Sequence, residues 1–513
     1  MAELPFLTGE HGRGPFLVIL FFLSVGIITV SGIWEGTLPR SEEAIFAETS
    51  REVLVTGDCL TMHFDGEPVY DTPPLSACIT GFFLKVFGNR IFAARLPFVI
   101  FALCALYTVY LVGGVTAGGE PYSGQWITQA RALGLASAII LGASTAFGRY
   151  APHIMTEVPL AFFITLAVLG WFYLPAGKWG LLLWGLGIAG GALSAGSGAF
   201  LVIPGSLLAL VTDRKRRAVW RNPLFIIVTL AALLLGGSWL VWAARHAPGG
   251  VRESALMAHL TGFAFPRQGV IMGVLRAVKE LWLRNLPWSI PATVAVVRIL
   301  FIRKRGRQGD GLSAADDTIL AFSLFLFLGI VLSGPAGPAA FVPLLPMCAL
   351  LGAREIARWA ACKEETEPEC GVFKLWSFNQ AMTGIFCLVM LLLAAAPLRL
   401  HDRSYDPIED IATTAGRTLD EGVKLGNFRQ DYRTQAARLL FYGSRSLEQA
   451  AANPADVAEQ LEVDPDKVFL ATASDMNLLK LDQDFDHRLV VLYRAGDLVL
   501  FGLHESEKET LAQ

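Results

Sequence analysis

Charge is scarce in this sequence. Asp, Glu, Lys and Arg make up 17% of the 513 residues, against about 25% in ordinary soluble domains. Hydrophobic residues make up 53%, and the mean hydropathy is +0.49. A chain this long and this apolar is excluded from the soluble globular class and reads as a polytopic membrane protein. Its basic residues build no arm, which argues against nucleic acid as a partner; the net charge of −3 rules little in or out. Internal repeats and low-complexity segments are absent. So are paired, interrupted apolar segments in two related halves, the usual mark of a transporter's midplane site. Seven cysteines carry little information. Cys104, Cys348 and Cys387 fall in apolar runs, and Cys362 and Cys370 in a loop of the reducing side. Cys59 and Cys78 share the outer side, where a bridge between them stays open.

What is present is a series of apolar runs long enough to cross a hydrocarbon layer about 30 Å thick as helices. Eleven are expected, near residues 15–33, 90–113, 130–147, 158–174, 178–194, 197–211, 223–244, 286–302, 316–333, 337–352 and 376–396. The first is too long for a secretory signal and no small-residue cleavage site follows it, so it counts as a span. The fifth and sixth run together as one apolar stretch broken only by small residues. Positive charge orients the set. Arg214, Lys215, Arg216, Arg217 and Arg221 share one short loop, and Arg303, Lys304, Arg305 and Arg307 another. Both belong in the cytoplasm, and eleven spans put them on one common side. The amino terminus is then cytoplasmic. The first loop (34–89), the 245–285 loop and the tail lie outside.

The first outer loop is more than a linker. Ser41 can cap a helix whose opening turn carries Glu42 and Glu43 and whose apolar side holds Phe46, Val53 and Leu54, with Gly57 ending it. A turn through Asp65, Gly66 and Pro68 leads to a second helix begun by Pro73 and Pro74 and too short to span. Two helices lying at the outer interface are expected, and "MGVLRAVKELWL" in the 245–285 loop has a similar amphipathic spacing. The sequence thus divides into an all-helical membrane part, 1–396, and a tail, 397–513. In the tail, strand, helix, strand and strand follow one another, as in a small α+β domain.

Ionisable groups at span edges are the candidates for chemistry. They are Glu42 and Glu43 beyond the first span, and Glu157 at the outer start of the fourth, with His153 four residues earlier on the same face if the helix begins there. The helix dipole alone also favours glutamates in a first turn, by about 0.3–1 kcal/mol each.

The stretch from Glu42 to Pro97 resembles the first outer loop of the GT-C glycosyltransferases, in the bacterial branch near the aminoarabinose transferase of lipid A and the protein O-mannosyltransferases. That branch shows an acidic pair, A-E-x-x-R-E-M-L, G-D-W, N-G-x-P-Y-F-E-K-P-P and F-G-x-x-x-x-A-A-R-L-P. Here the register holds without a gap through Ala47, Glu48, Arg51, Glu52, Gly57, Asp58, Gly66, Pro68, Pro73, Pro74, Phe87, Gly88, Ala93, Ala94, Arg95, Leu96 and Pro97. "TEVPLAFF", "RNLPWSIPA" and "PAAFVPLLPMCALL" resemble later motifs of the same branch, so the likeness covers about residues 15–355.

The resemblance implies a multi-pass protein of the bacterial cytoplasmic membrane. It would move a sugar from a polyprenyl-phosphate donor to a lipid, glycan or protein acceptor on the outer face. Glu42 stands at the catalytic Asp position and would be the general base. Glu43 keeps the family's Glu, and Glu157 takes the second loop's Asp position. Asp71 replaces a Glu that in some members helps to hold a metal, and His63 and Asp65 in the same turn leave a divalent ion open; a solvated loop histidine accounts equally for His63. Three lysines of the family are absent: Thr72 replaces one, and "AGSG" around Gly196 and "LSGPAGPAA" lack the others. Arg51, Arg95, Arg149, Arg267 and Arg284 remain as cations for a donor phosphate. Arg51 and Arg95 equally suit structural pairing with Glu48 and Glu52. Three readings follow: a divergent transferase, a GT-C protein that only binds polyprenyl phosphate, and a transporter. Reporter fusions near residues 215 and 450 are expected to read cytoplasm and exterior; the same side for both would mean an odd error in the span count between them.

Overall fold

A computed structural model describes residues 14–34, 41–70, 72–117, 124–212, 216–247, 270–304, 313–332, 338–360, 368–395, 407–419, 424–480 and 488–504. In chain order its elements begin with α1 (Gly14–Ser31), α2 (Ser41–Thr56), β1 (Met62–Phe64), β2 (Glu67–Val69), α3 (Pro74–Phe87), α4 (Ile91–Val115), α5 (Gly124–Gly142) and α6 (Thr145–Tyr150). They continue through α7 (Glu157–Tyr173), α8 (Lys178–Ala195), α9 (Val202–Thr212), α10 (Arg217–Arg221), α11 (Pro223–His246), α12 (Val270–Arg284), α13 (Ser289–Lys304), α14 (Ala314–Leu332), α15 (Leu345–Ala360) and α16 (Pro368–Ala395). The last are α17 (Pro407–Thr418), β3 (Leu425–Phe428), α18 (Tyr432–Gly443), β4 (Leu447–Ala451), α19 (Pro454–Val463), β5 (Phe469–Thr472), α20 (Ala473–Lys480), β6 (Leu489–Ala495) and β7 (Leu498–Leu503).

These elements fold as two compact units. The first comprises Met1–Ile33, Tyr70–Ser76 and Arg95–Leu398; the second comprises Trp34–Val69, Ala77–Ala94 and Arg399–Gln513. Most of the first outer loop therefore belongs with the tail, a grouping that the linear division at 396 does not express.

The first unit is helical. Among the described residues the eleven apolar runs fall mainly on helix, the third being broken between α5 and α6 at Ala143–Ser144. Among the described residues, five helices are long and apolar enough to cross a membrane, those covering Ile91–Val115, Pro223–His246, Ala314–Leu332, Ala339–Ala360 and Lys374–Leu392. The fused fifth and sixth runs separate at Gly196, which has φ +87, followed by a 3₁₀ turn at Ser197–Leu201. Small residues let helices approach closely, the packing mode available where lipid offers no hydrophobic drive. A Cβ on Gly170 of α7 would stand 2.4 Å from the Trp184 amide nitrogen, and one on Gly187 of α8 2.5 Å from that of Ala167. Around this contact Trp171, Trp184, Phe225 and Phe322 pack edge to face or tilted, and Trp184 Nε1 donates to Thr229 Oγ1 of α11 at 3.0 Å.

Charge is buried at one end of this bundle. Arg354 of α15 donates to Asp316 of α14 at 2.6 Å, to Ser313 Oγ at 2.5 Å and to the Thr116 carbonyl at the end of α4 at 2.7 Å. Arg358 also bonds Asp316, and Glu355 accepts from Arg298 of α13 at 2.9 Å and from Arg358 at 3.2 Å. α12 keeps Leu275, Val278, Trp282 and Leu283 exposed, an apolar face of the kind that lies in a headgroup region.

The second unit holds a five-stranded sheet of order β4-β3-β5-β7-β6. β4, β3 and β5 are parallel, and β7 runs antiparallel to both β5 and β6. Helices α18 and α19 are the crossovers that parallel pairing requires. In the same unit β1 and β2 form a two-residue hairpin at Asp65 and Gly66, whose φ values of +56 and +78 are those such a turn demands.

α2 departs from the expected apolar stripe. Phe46 and Val53 are buried but Leu54 is exposed, since it is turned about 80° from Phe46 on a 3.6-residue helix, and the buried side instead includes Glu43, Glu48 and Glu52. The reason is packing: α18 and β1 cover this face. Gly170→Ala and Gly187→Ala are each expected to destabilise the bundle by about 1–3 kcal/mol through overpacking. Detergent melting curves matching wild type would rule out so tight an α7–α8 contact.

Candidate active site

The sequence-derived site residues divide between the two units, and Arg267 and Asp71 lie outside the described residues. In the second unit, Glu42 and Glu43 occupy the first turn of α2, where the helix dipole favours them. Glu42 is exposed and Glu43 is buried. The first turn of a single helix thus carries an accessible carboxylate followed in sequence by a desolvated one.

The rest of α2 is held by charge. Arg51 grips Glu48 with a two-pronged fork, Nε to Oε2 at 2.8 Å and Nη2 to Oε1 at 2.7 Å. Glu48 is wholly buried, and desolvation pushes its carboxyl up to about 7 against the pull of Arg51. Glu52 reaches the hairpin, accepting from the Asp65 amide at 2.7 Å and the Gly66 amide at 3.2 Å. Two successive amides converging on one carboxylate make the anion-binding concavity typical of such turns. Asp65 in turn accepts from Ser446 Oγ at 2.6 Å and is bonded by Tyr432 of α18, whose phenol is pushed up by burial and by the Asp65 and Glu67 charges. His63 sits in β1 with Nδ1 buried and making no hydrogen bond. Among the described residues no three His, Cys, Asp or Glu side chains gather as a metal set, and the Asp65 carboxylate already serves the anchor to Ser446. The charge-cluster role for Arg51 is thus visible directly, and the Ser446 and Tyr432 anchors had no signal in the linear sequence.

In the first unit, Arg95 on α4 is fully buried. Arg149 is exposed on α6. Glu157 is half-buried at the first position of α7, and His153 lies in the preceding turn rather than on that helix, so the two do not share a helical face. The turn carrying Arg149 is stitched to the Leu286-Pro287-Trp288 segment. Ser144 Oγ, which caps α6, donates to Asn285 Oδ1 at 2.6 Å, Thr145 Oγ1 bonds the Arg284 carbonyl, and Trp288 Nε1 donates to the Ala143 carbonyl at 3.1 Å. Arg284 closes α12 and pairs with Glu280 at 2.5 Å, an exposed contact that lowers the Glu280 carboxyl. Exposed pairs of this type are weak and easily exchanged for another anion. A cavity of about 250 Å³ opens beside this turn between α12, α13, α14 and α15, lined by apolar side chains such as Leu281, Phe327 and Leu351 and by Asn285 and Ser289. Asn285 adjoins Arg284, so the arginine stands next to the cavity's lining. No periodicity in the sequence marks that cavity.

Residues 71–242 match the family model described as dolichyl-phosphate-mannose-protein mannosyltransferase. ArnT from Cupriavidus metallidurans, solved bound to undecaprenyl phosphate, superposes on 97% of this chain and 99% of its own with a TM-score of 0.68 at 16% identity. The chain has the GT-C glycosyltransferase fold. The archaeal oligosaccharyltransferase AglB from Archaeoglobus fulgidus, in complex with an inhibitory peptide and a dolichol-phosphate, follows with a TM-score of 0.52 at 12% identity, covering 89% of this chain and 69% of that one. In sequence, the chain is 23% identical over 449 residues to the undecaprenyl phosphate-alpha-4-amino-4-deoxy-L-arabinose arabinosyl transferase of Edwardsiella ictaluri, covering 83% of this chain and 75% of the relative. It is 25% identical over 228 residues to an uncharacterized protein of Aquifex aeolicus, a stretch spanning 44% of this chain and 42% of that relative. The GT-C resemblance carried by the first outer loop thus extends to the whole architecture.

Glu48 has a testable linkage. A carboxyl raised from the ordinary 4.5 to about 7 holds a proton in the folded state that the unfolded chain has released. Its contribution is therefore full below about pH 4.5 and lost as pH rises through 7. Arg51→Ala strands the buried carboxylate, so the variant is expected to lose about 3–5 kcal/mol at pH 8 and clearly less at pH 5. Equal losses at both pH values in detergent melts would refute the buried pair.

Proposed function

We propose that the protein transfers a sugar from a polyprenyl-phosphate-linked donor to a lipid, glycan or protein acceptor at the outer face of a bacterial cytoplasmic membrane. The observation that carries the reading is the superposition on 97% of the chain of an ArnT structure holding undecaprenyl phosphate. The mannosyltransferase family match points the same way. Eleven crossings with a cytoplasmic amino terminus complete the topology, in keeping with helix along the apolar runs and with the cytoplasmic preference of the two basic stretches of the sequence.

In this reading Glu42, exposed at the head of α2, is the general base. Its carboxylate takes the proton of the acceptor nucleophile as that atom bonds to the anomeric carbon. The bond from the anomeric carbon to the phosphate oxygen breaks, and the phosphate keeps the electron pair. Glu43 and Glu157 orient the sugar and acceptor. Negative charge grows on the phosphate, so cations aimed there stabilise the transition state. Arg149 and Arg284 take that role with Arg267. Arg95 is fully buried and Arg51 is held by Glu48, so neither is offered as the first cation for the phosphate. The 250 Å³ cavity beside Arg284 holds part of the isoprenoid chain.

Loss of the three family lysines favours one alternative, a protein that binds polyprenyl phosphate without transferring a sugar. Native mass spectrometry of detergent-purified protein separates the two when paired with a transfer assay. Wild type is expected to retain a polyprenyl phosphate and Arg149→Ala/Arg284→Ala to lose it. Glu42→Gln should retain the lipid while turnover falls about 10²–10⁴-fold. Retained lipid with no transfer by wild type would select the binding protein, and normal turnover by Glu42→Gln would remove Glu42 as base.

A further inference from the structure

Two cysteines of the second unit meet although the chain separates them. α2 ends at Gly57, whose φ of +69 turns the chain back. Asp58 then fixes the loop, its Oδ1 accepting from the amides of Leu60 at 2.8 Å and Thr61 at 3.2 Å. Cys59 is held exposed on this rigid turn. Cys78, half-buried in the second turn of α3, donates its Sγ to the Cys59 carbonyl at 3.3 Å, and its thiol feels the neighbouring Cys59 thiol. Both thiols are free in the structure. The Cys78 sulfur against the Cys59 backbone puts the two residues side by side on anchored segments, the neighbourhood a disulfide requires.

We infer that Cys59 and Cys78 form a disulfide in the mature protein, closing the chain around the Asp65–Gly66 hairpin. The inference rests on the outward placement of the first loop in the proposed topology, because thiols there meet an oxidising compartment. The oxidant is a protein disulfide of the thiol oxidoreductase class. The exposed Cys59, as thiolate, attacks one of its sulfurs and expels a thiol, giving a mixed disulfide. Cys78, as thiolate, then attacks the Cys59 sulfur and expels the second. Two cysteine thiols are oxidised, the oxidant's disulfide is reduced, and the two protons end on its sulfurs. Exposure sets the order: Cys59 is the thiol an oxidant can reach. Burial and the neighbouring Cys59 and Asp58 push the Cys78 thiol up, which agrees with Cys59 as the first thiol to react. The resulting ring holds the hairpin that Glu52 clamps, and so braces the helix whose first turn carries Glu42.

The test uses the full-length protein, with intact cells or membranes quenched in N-ethylmaleimide before solubilisation. Peptide mass spectrometry without reductant is expected to find Cys59 joined to Cys78, with the linked peptide lost in Cys59→Ser and in Cys78→Ser. Reductant should lower the melting temperature of wild type by about 5–10 °C, as expected for a loop of this size, and leave Cys59→Ser/Cys78→Ser unmoved. Maleimide on both cysteines of the wild-type protein overturns the proposal, as does an equal response of wild type and double variant to reductant. Lipid retention and the Glu42→Gln turnover are read separately, so the donor reading stands or falls independently of the bridge.

Discussion

A carboxylate clasping two backbone amides organises the second unit. Glu52 leaves the middle of α2 and receives the Asp65 and Gly66 amides of the hairpin turn. Without an acceptor those two donors would stand partly buried and unbonded, a cost of about 1–3 kcal/mol each. The positive φ values of the turn are what make both amides point to one side. Once the turn is pinned, the Asp65 side chain is presented to Ser446 and Tyr432, and the tail is fastened to the same hairpin. The order of dependence runs from α2 to the hairpin to the tail. The acidity of this segment thus has a mechanical explanation for Glu48, Glu52 and Asp65, while Glu42 stays exposed at the head of α2.

The same division of labour applies to the arginines. Arg51 has both prongs of its fork on Glu48, which matches carboxylate geometry and serves to neutralise a buried charge. Arg284 holds Glu280 in the open, where water screens the pair and exchange is easy. Burial, more than the presence of a guanidinium, separates a fixed strut from an exchangeable surface pair.

Much of the fold was legible in the sequence. Hydropathy located every apolar helix because a span must satisfy its backbone internally over a fixed thickness. The Asp65-Gly66 pair marked a turn, because few residue types tolerate the required conformation, while the two short strands that make it a hairpin were not read. Local rules failed where the answer lay across the chain. β3 and β4, "LGNF" and "LEQAA", are short and poor in β-branched residues, and they are strands because a parallel sheet closes around them. The buried side of α2 was misjudged at Leu54 because acidic residues are read as solvent-facing until a partner appears. His153 was set on the wrong element for want of a visible helix start. Ser144 and Asn285 are 141 residues apart, and nothing in either neighbourhood announces their bond. The family pattern around Glu42 identified a region of chemistry without saying which of its charges were already engaged.

The buried ion network at the end of the helical bundle has a consequence for biogenesis. Asp316 on α14 meets Arg354 and Arg358 of α15, and Arg298 on α13 meets Glu355 of α15, only after those helices have assembled; Arg358–Glu355 alone is formed within one helix. A newly inserted chain that stops short of assembly presents Asp316, Arg298 and Arg354 to lipid or headgroups without their partners. Quality-control proteases and chaperones that survey the bilayer for exposed charge therefore have a direct way to tell an orphan bundle from a finished one.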